Sequence, residues 1–192
     1  MKLRGLYAIT PEGVDPAKVR LALQGGVALL QYRNKQRDRV HAEAIARLAK
    51  EFDVPLVVND DIDLALELDA AGVHLGRDDG DLRAARKKLG GRLLGASCYD
   101  DIRLARAAVA EGADYVAFGS VFASPTKPGA VRAPLSLFNE SLGVPLCAIG
   151  GITLQNAADV VKAGADLLAV ISDLFEAPDI RARAADYGKL FR

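Results

Sequence analysis

The sequence predicts an α/β protein: a single compact (β/α)8 barrel, or TIM barrel, with residues 1–192 forming one domain. Three observations carry this expectation. Eight short apolar runs carry almost no charge, the segments between them have helical periodicity, and small-residue pairs close one segment just before the next run begins. Runs that lack polar alternation read as strands buried on both faces, the mark of a parallel sheet. Strands alternating with helices, with no break for a second domain, close into a barrel. The units average 24 residues, so loops must be short. A doubly wound open sheet competes, but the first turn lacks a G-x-G-x-x-G fingerprint and eight open strands usually need more linker.

The first expected strand is 6–10, after which Asp15 suits a helix N-cap. Gln24-Gly25-Gly26 ends that helix, glycine supplying the left-handed position beyond a helix end, and the second strand follows at 27–33. Asp38 is expected to cap a helix over 38–52, where Val40, Ala44, Ile45, Leu48, Ala49 and Phe52 form a stripe that leaves out Glu43, Arg47 and Lys50. His41 is expected on the surface of that helix. Val54-Pro55 then breaks it, because the residue before proline is driven out of the helical region, and the third strand is 55–59. Ala71-Gly72 introduces the fourth strand at 72–76, and the fifth covers 92–98. Asp100 is expected to cap a helix over 101–111, and the sixth strand spans 113–121. Val144-Pro145 opens the seventh at 145–150, a helix covers 154–163, and Ala163-Gly164 precedes the eighth at 165–172.

Composition narrows the function. Lys+Arg and Asp+Glu are each 25, so the formal net charge is 0, which argues against a general nucleic-acid binder. Aromatics are 6% with no Trp, so base-stacking platforms are not expected. A hydrophobic share of 51% excludes a disordered chain. Cys98 and Cys147 make no disulfide scaffold and match no zinc spacing; both are expected to be structural, in a reducing compartment. The N-terminus has no apolar core of a signal peptide, and no apolar run approaches the ~20 residues a membrane span needs. A cytoplasmic protein is expected.

In such barrels functional residues lie at the C-terminal ends of strands. Three groups gather there. Asp60 and Asp79, after the third and fourth strands, could hold Mg²⁺, a hard cation that takes oxygen ligands and keeps waters; they could equally be helix caps, like Asp61, Asp63, Asp78 and Asp81 around them. Arg33, Lys35, Ser97, Ser124, Thr126 and Lys127 suit a polyanion such as a diphosphate, with alternation putting Gln31, Arg33 and Lys35 on one face of an extended chain; the alternative is a solvated basic loop. Gly150-Gly151 and Ile171-Ser172 follow the seventh and eighth strands, where barrels often cradle phosphate with backbone N–H groups, although a Gly-Gly turn into the next helix would look the same. His74 lies mid-strand and reads as interior packing rather than a base. No nucleophile–base pair is evident, which favours a reaction driven by leaving-group stabilisation.

Taken in order, these stretches resemble the thiamine phosphate synthase family. They are Leu6-Tyr7-Ala8-Ile9-Thr10, Gln31-Tyr32-Arg33-Asn34-Lys35, Val58-Asn59-Asp60 and Gly72-Val73-His74-Leu75-Gly76-Arg77-Asp78-Asp79. Further along come Leu94-Gly95-Ala96-Ser97, Gly112-Ala113-Asp114-Tyr115-Val116, Ser124-Pro125-Thr126-Lys127-Pro128, Ala148-Ile149-Gly150-Gly151-Ile152 and Val170-Ile171-Ser172. The resemblance implies the same barrel and a transferase that joins hydroxymethylpyrimidine diphosphate to hydroxyethylthiazole phosphate, by a Mg²⁺-assisted dissociative route. It implies that Gln31, Arg33, Lys35 and Asn59 contact the pyrimidine diphosphate, that Ser97 and Lys127 bind the diphosphate, and that Asp60 and Asp79 ligate Mg²⁺. Ser124, Thr126, Gly150, Gly151, Ile171 and Ser172 are then expected around the thiazole phosphate. The implied catalytic set is Arg33, Lys35, Ser97 and Lys127. Partners are these phosphorylated small molecules, with a homo-oligomer allowed and neither nucleic acid nor membrane.

The chain departs from the family pattern in places. Pro11 follows Thr10 where an Asp is common, Tyr99 stands where a His is frequent, and the extra N-terminal helix is missing. Three rival readings have discriminating features. A thiazole tautomerase-like paralogue would carry a His where Gly119-Ser120-Val121-Phe122 has Ser120. A class I aldolase would need Lys127 desolvated as a Schiff-base lysine, which a polar loop does not favour. A non-catalytic phosphate-binding barrel would not need the full Arg33, Lys35, Asp60, Asp79 and Lys127 set.

Overall fold

The structure is a computed structural model that describes residues 3–36, 38–123 and 131–192. Eight strands pair in sequence order and close into one barrel: β1 Gly5–Ile9, β2 Leu29–Tyr32, β3 Leu56–Asn59, β4 Gly72–Leu75, β5 Leu93–Tyr99, β6 Tyr115–Phe118, β7 Leu146–Ile149 and β8 Leu167–Val170. All pairings are parallel, and β1 against β8 closes the ring. The helices are α1 Pro16–Gln24, α2 Arg39–Glu51, α3 Ile62–Glu67, α4 Leu82–Leu89, α5 Ile102–Ala110, α6 Ala157–Lys162, α7 Ser172–Phe175 and α8 Ile180–Lys189. No helix among the described residues is long and apolar enough to cross a membrane.

Strand alternation sorts the core into two layers. Leu6, Ala8, Leu30, Val58, Val73, Leu94, Val116 and Leu168 face the helices. Tyr7, Ile9, Leu29, Val57, Tyr115, Cys147 and Leu167 fill the barrel interior. At the N-terminal face, Asp114 and Asp166 accept backbone N–H bonds from Leu94 (2.8 Å) and Leu146 (3.1 Å), which explains why a Gly-Ala-Asp stretch precedes both β6 and β8. Arg86 ties the same face by donating to the Gly112 and Arg92 carbonyls and to Asp114.

Asp15 and Asp38 cap α1 and α2 as expected. Asp100 does not cap α5. Asp101 takes that place, accepting from the Arg103 backbone N–H at 2.8 Å while Asp100 is exposed, because the bulge at Ser97/Tyr99 delays the helix start. The described part of the β6–β7 connection holds only a 3-10 turn, Leu135–Asn139, started by Pro134 and pinned by Phe138, which packs edge-on against Phe118. The helix expected over 154–163 begins at Ala157, since the Asn156 side chain first closes a turn with the Thr153 N–H. His41 is half-buried rather than superficial: its Nε2 lies 2.7 Å from the Val14 carbonyl and ties α2 to the β1–α1 loop.

Candidate active site

The polar residues expected at strand ends gather, where described, at the C-terminal mouth of the barrel. Arg33, Lys35, Asn59 and Asp60 line one cavity of about 200 Å³. The extended row expected through Gln31, Arg33 and Lys35 does not form. β2 ends at Tyr32, the Arg33 N–H is held by the Thr10 hydroxyl at 3.0 Å, and Asn34 turns the chain by accepting from the Gln36 N–H at 2.8 Å. Gln31 stays inside the barrel, 3% exposed, while Arg33 is half-buried and Lys35 reaches solvent.

Asp60 sits at φ 63°, a left-handed conformation that swings its carboxylate out of line with β3. Its backbone N–H donates to the His74 carbonyl at 2.9 Å, and the Asn59 amide donates to its carboxylate. Asp79 is aimed by the Gly76 N–H, which donates to its Oδ2 at 2.8 Å. Burial, first, and then the facing Asp79 carboxylate push the Asp60 carboxyl up to about 6, against the milder opposing pull of Asn59 and Arg33. Two carboxylates pressed together are a donor set for a hard divalent cation, which would relieve their repulsion. Among the described residues no group of three or more His, Cys, Asp or Glu forms a fuller metal cage. Asp61 and Asp81 cap α3 and α4, and Asp61 also borders the cavity.

Below the mouth lies a buried polar chain. Gln31 Nε2 donates to the Tyr7 hydroxyl at 2.5 Å, and the Tyr7 and Tyr115 hydroxyls share a bond of 2.9 Å. Tyr115 Oη is 3.0 Å from His74 Nδ1, and His74 Nε2 is 2.9 Å from Ser97 Oγ. Burial pushes both phenols up and lowers His74 to about 4, so the imidazole is neutral. His74 is therefore an interior residue, as its mid-strand position implied, but a fully hydrogen-bonded one. Gly95 makes the room: a Cβ there would stand 2.3 Å from the Tyr115 hydroxyl oxygen and 2.5 Å from His74 Nδ1. Tyr7 and Tyr115 escaped the sequence reading. Period-two alternation, which puts Tyr7, Gln31, His74, Ser97 and Tyr115 on inward faces, was the signal for them.

On the far side of the mouth, Gly150 and Gly151 have φ of 101° and 64°. A Cβ on Gly150 would lie 2.2 Å from Ser120 Oγ, and one on Gly151 2.4 Å from the Ala123 carbonyl, so the turn is built by close approach of the β6 exit. Ser120, at the position where a tautomerase-like base would stand, donates instead to the Phe122 carbonyl at 2.7 Å. Ile171 and Ser172 start α7 and border a second cavity of about 230 Å³ with Pro11, Gly13 and Lys18. Ser124, Thr126 and Lys127 lie outside the described residues. Both cysteines are buried and free; desolvation pushes the Cys98 thiol up to about 12 and raises Cys147 as well, as suits structural residues.

Fold and mouth together define the class: a (β/α)8 barrel whose C-terminal rim sets basic side chains, a carboxylate pair and two cavities side by side. Residues 6–174 match the family model described as thiamine monophosphate synthase, and the chain belongs to that family. It is 59% identical to the thiamine-phosphate synthase of Aromatoleum aromaticum, over 99% of this chain and 97% of that protein. It is 50% identical to that of Methylobacillus flagellatus, over 98% and 96%. Among solved structures, the thiamine phosphate pyrophosphorylase from Pyrococcus furiosus superposes with a TM-score of 0.86 at 31% identity, covering 99% of this chain and 96% of that one. A 3-hexulose-6-phosphate synthase superposes at 0.76 with 18% identity, a likeness of fold alone.

Proposed function

We propose that this barrel joins 4-amino-2-methyl-5-hydroxymethylpyrimidine diphosphate to hydroxyethylthiazole phosphate, releasing diphosphate and forming thiamine phosphate. The chain works as one domain in the cytoplasm. The observation that carries this reading is the meeting of Arg33 and Lys35 with Asn59 and Asp60 in one cavity, with Asp79 against Asp60.

The chemistry follows from charge. The bond between the pyrimidine methylene carbon and the diphosphate oxygen breaks, and its electron pair leaves with the diphosphate. Arg33, Lys35, Lys127 and the Ser97 hydroxyl stabilise the charge that builds there; fixed donors aimed at developing charge are worth most in a water-poor site. The electron-rich aminopyrimidine, oriented by Gln31 and Asn59, carries the resulting cation. The thiazole nitrogen then donates its lone pair to the methylene carbon. Ser124, Thr126, Gly150, Gly151, Ile171 and Ser172 hold the thiazole phosphate so that this capture is effectively intramolecular. Asp60 and Asp79 would hold Mg²⁺, which supplies neutralising positive charge to the diphosphate oxygens.

Two adjacent aspartates separate this reading from a capping role. Asp60→Ala is expected to reduce thiamine phosphate formation about 100-fold or more. Asp61→Ala removes the bond from the Leu64 N–H at the start of α3 and is expected to cost about 0.5–2 kcal/mol of stability with turnover largely kept. Equal losses of turnover would overturn the metal assignment.

A further inference from the structure

The buried chain from Gln31 to Ser97 crosses the barrel through five strands, β2, β1, β6, β4 and β5. Its two ends are the residues assigned above to the pyrimidine and to the diphosphate. Tyr7 and Tyr115 each own one hydroxyl proton and each is bonded on two sides, so each must accept from one neighbour and donate to the other, and the chain is directional. With Gln31 Nε2 donating, Tyr7 accepts and passes its own proton to Tyr115. Tyr115 passes its proton to His74 Nδ1, so His74 carries its hydrogen on Nε2 and donates to Ser97 Oγ. The Ser97 hydroxyl proton is then free to point into the mouth. If the Gln31 amide turns over, Oε1 accepts from Tyr7 and every bond reverses. Ser97 must then donate inward to His74 and offers the mouth no proton. No mixed arrangement is cheap: Tyr7 and Tyr115 are 1% and 0% exposed, and a proton pointing at nothing there loses a whole hydrogen bond. Among the described residues no buried side-chain N or O lacks a partner.

We propose that this relay couples recognition of the pyrimidine to the grip on the diphosphate. An exocyclic amine that donates to Gln31 Oε1 holds the amide with Nε2 toward Tyr7. That orientation sets Ser97 to donate to a phosphate oxygen. Tyr7, Tyr115 and His74 are positioning residues in this scheme: they touch neither substrate and act through Gln31 and Ser97. Gly95 is the space that lets the middle bond form. The proposal rests on the assignment of Gln31 and Ser97 to the two halves of one substrate.

The test measures coupling rather than rate. The affinity of the aminopyrimidine alcohol is titrated with and without saturating inorganic diphosphate and Mg²⁺, and the reverse titration closes the cycle. Wild type is expected to bind each ligand about fivefold or more tightly in the presence of the other. Tyr115→Phe and Tyr7→Phe each cut the relay at one link while keeping the ring. Both are expected to bring the coupling close to one, with each ligand's separate affinity nearly unchanged. Either variant suffices if the other fails to fold by thermal melting. Coupling that survives in the Phe variants passes directly between the ligands and overturns the relay, as does wild type that binds both ligands independently. Wild type that binds neither ligand overturns the site assignment itself, a distinct result.

Discussion

Asp60 is the residue on which most depends. Its ordinary value of 3.8 is raised to about 6 in the fold, by burial and then by Asp79. The folded chain therefore holds this proton more tightly than the unfolded chain does. The contribution to stability is fully present below about 3.8 and is lost as pH rises through about 6. Without added metal, the melting temperature of wild type relative to Asp60→Asn should fall across that window, and a flat difference would contradict the carboxylate pairing. Gly95 is the second such position. The Ala methyl would overlap Tyr115 and His74, so Gly95→Ala is expected to cost about 1–3 kcal/mol in urea unfolding.

Among the elements, α7 is held by its buried Leu174 and Phe175 and by the polar contacts of one residue, Asp173. Asp173 accepts from the Tyr187 hydroxyl at 2.7 Å and pairs with Arg183 at 2.5 Å, and Arg183 also donates to the Asp173 carbonyl at 2.9 Å. These contacts clamp the start of α7, with Ser172 on it, to α8. Asp173→Ala is expected to cost about 1.5–3 kcal/mol and to raise KM for the thiazole phosphate while kcat is largely kept. An unchanged KM would mean that α7 does not position that phosphate. The sequence made all eight strands legible, because continuous apolar runs bounded by glycine or proline have few other readings. It did not reveal the β6–β7 turn, where Pro134 and Phe138 replace periodicity with one packing contact, nor the one-residue shift of the α5 cap. Such features are set by a bulge or a tertiary contact, which no local pattern encodes.

At the scale of the whole molecule, strand order determines which residues can meet. Residues far apart in sequence, such as Tyr7 and Tyr115, touch because β1 and β6 face one another across the interior. Motif order alone points to the rim for Arg33, Asp60 and Asp79, which follow their strands, and for Asn59, which ends β3; Ser97 lies within β5. The interior relay needed the closed barrel, since its members lie on five strands and only the cross-barrel geometry pairs them. A net charge of 0 thus hides a mouth where basic and acidic side chains stand together, as the proposed diphosphate and metal sites require. Purified protein is mixed with both phosphorylated precursors, with Mg²⁺ and with Mg²⁺ chelated, and thiamine phosphate is followed directly. Stoichiometric thiamine phosphate and diphosphate are expected with Mg²⁺, and a severe loss without it; absence of product with Mg²⁺ and both precursors present would contradict the proposed condensation.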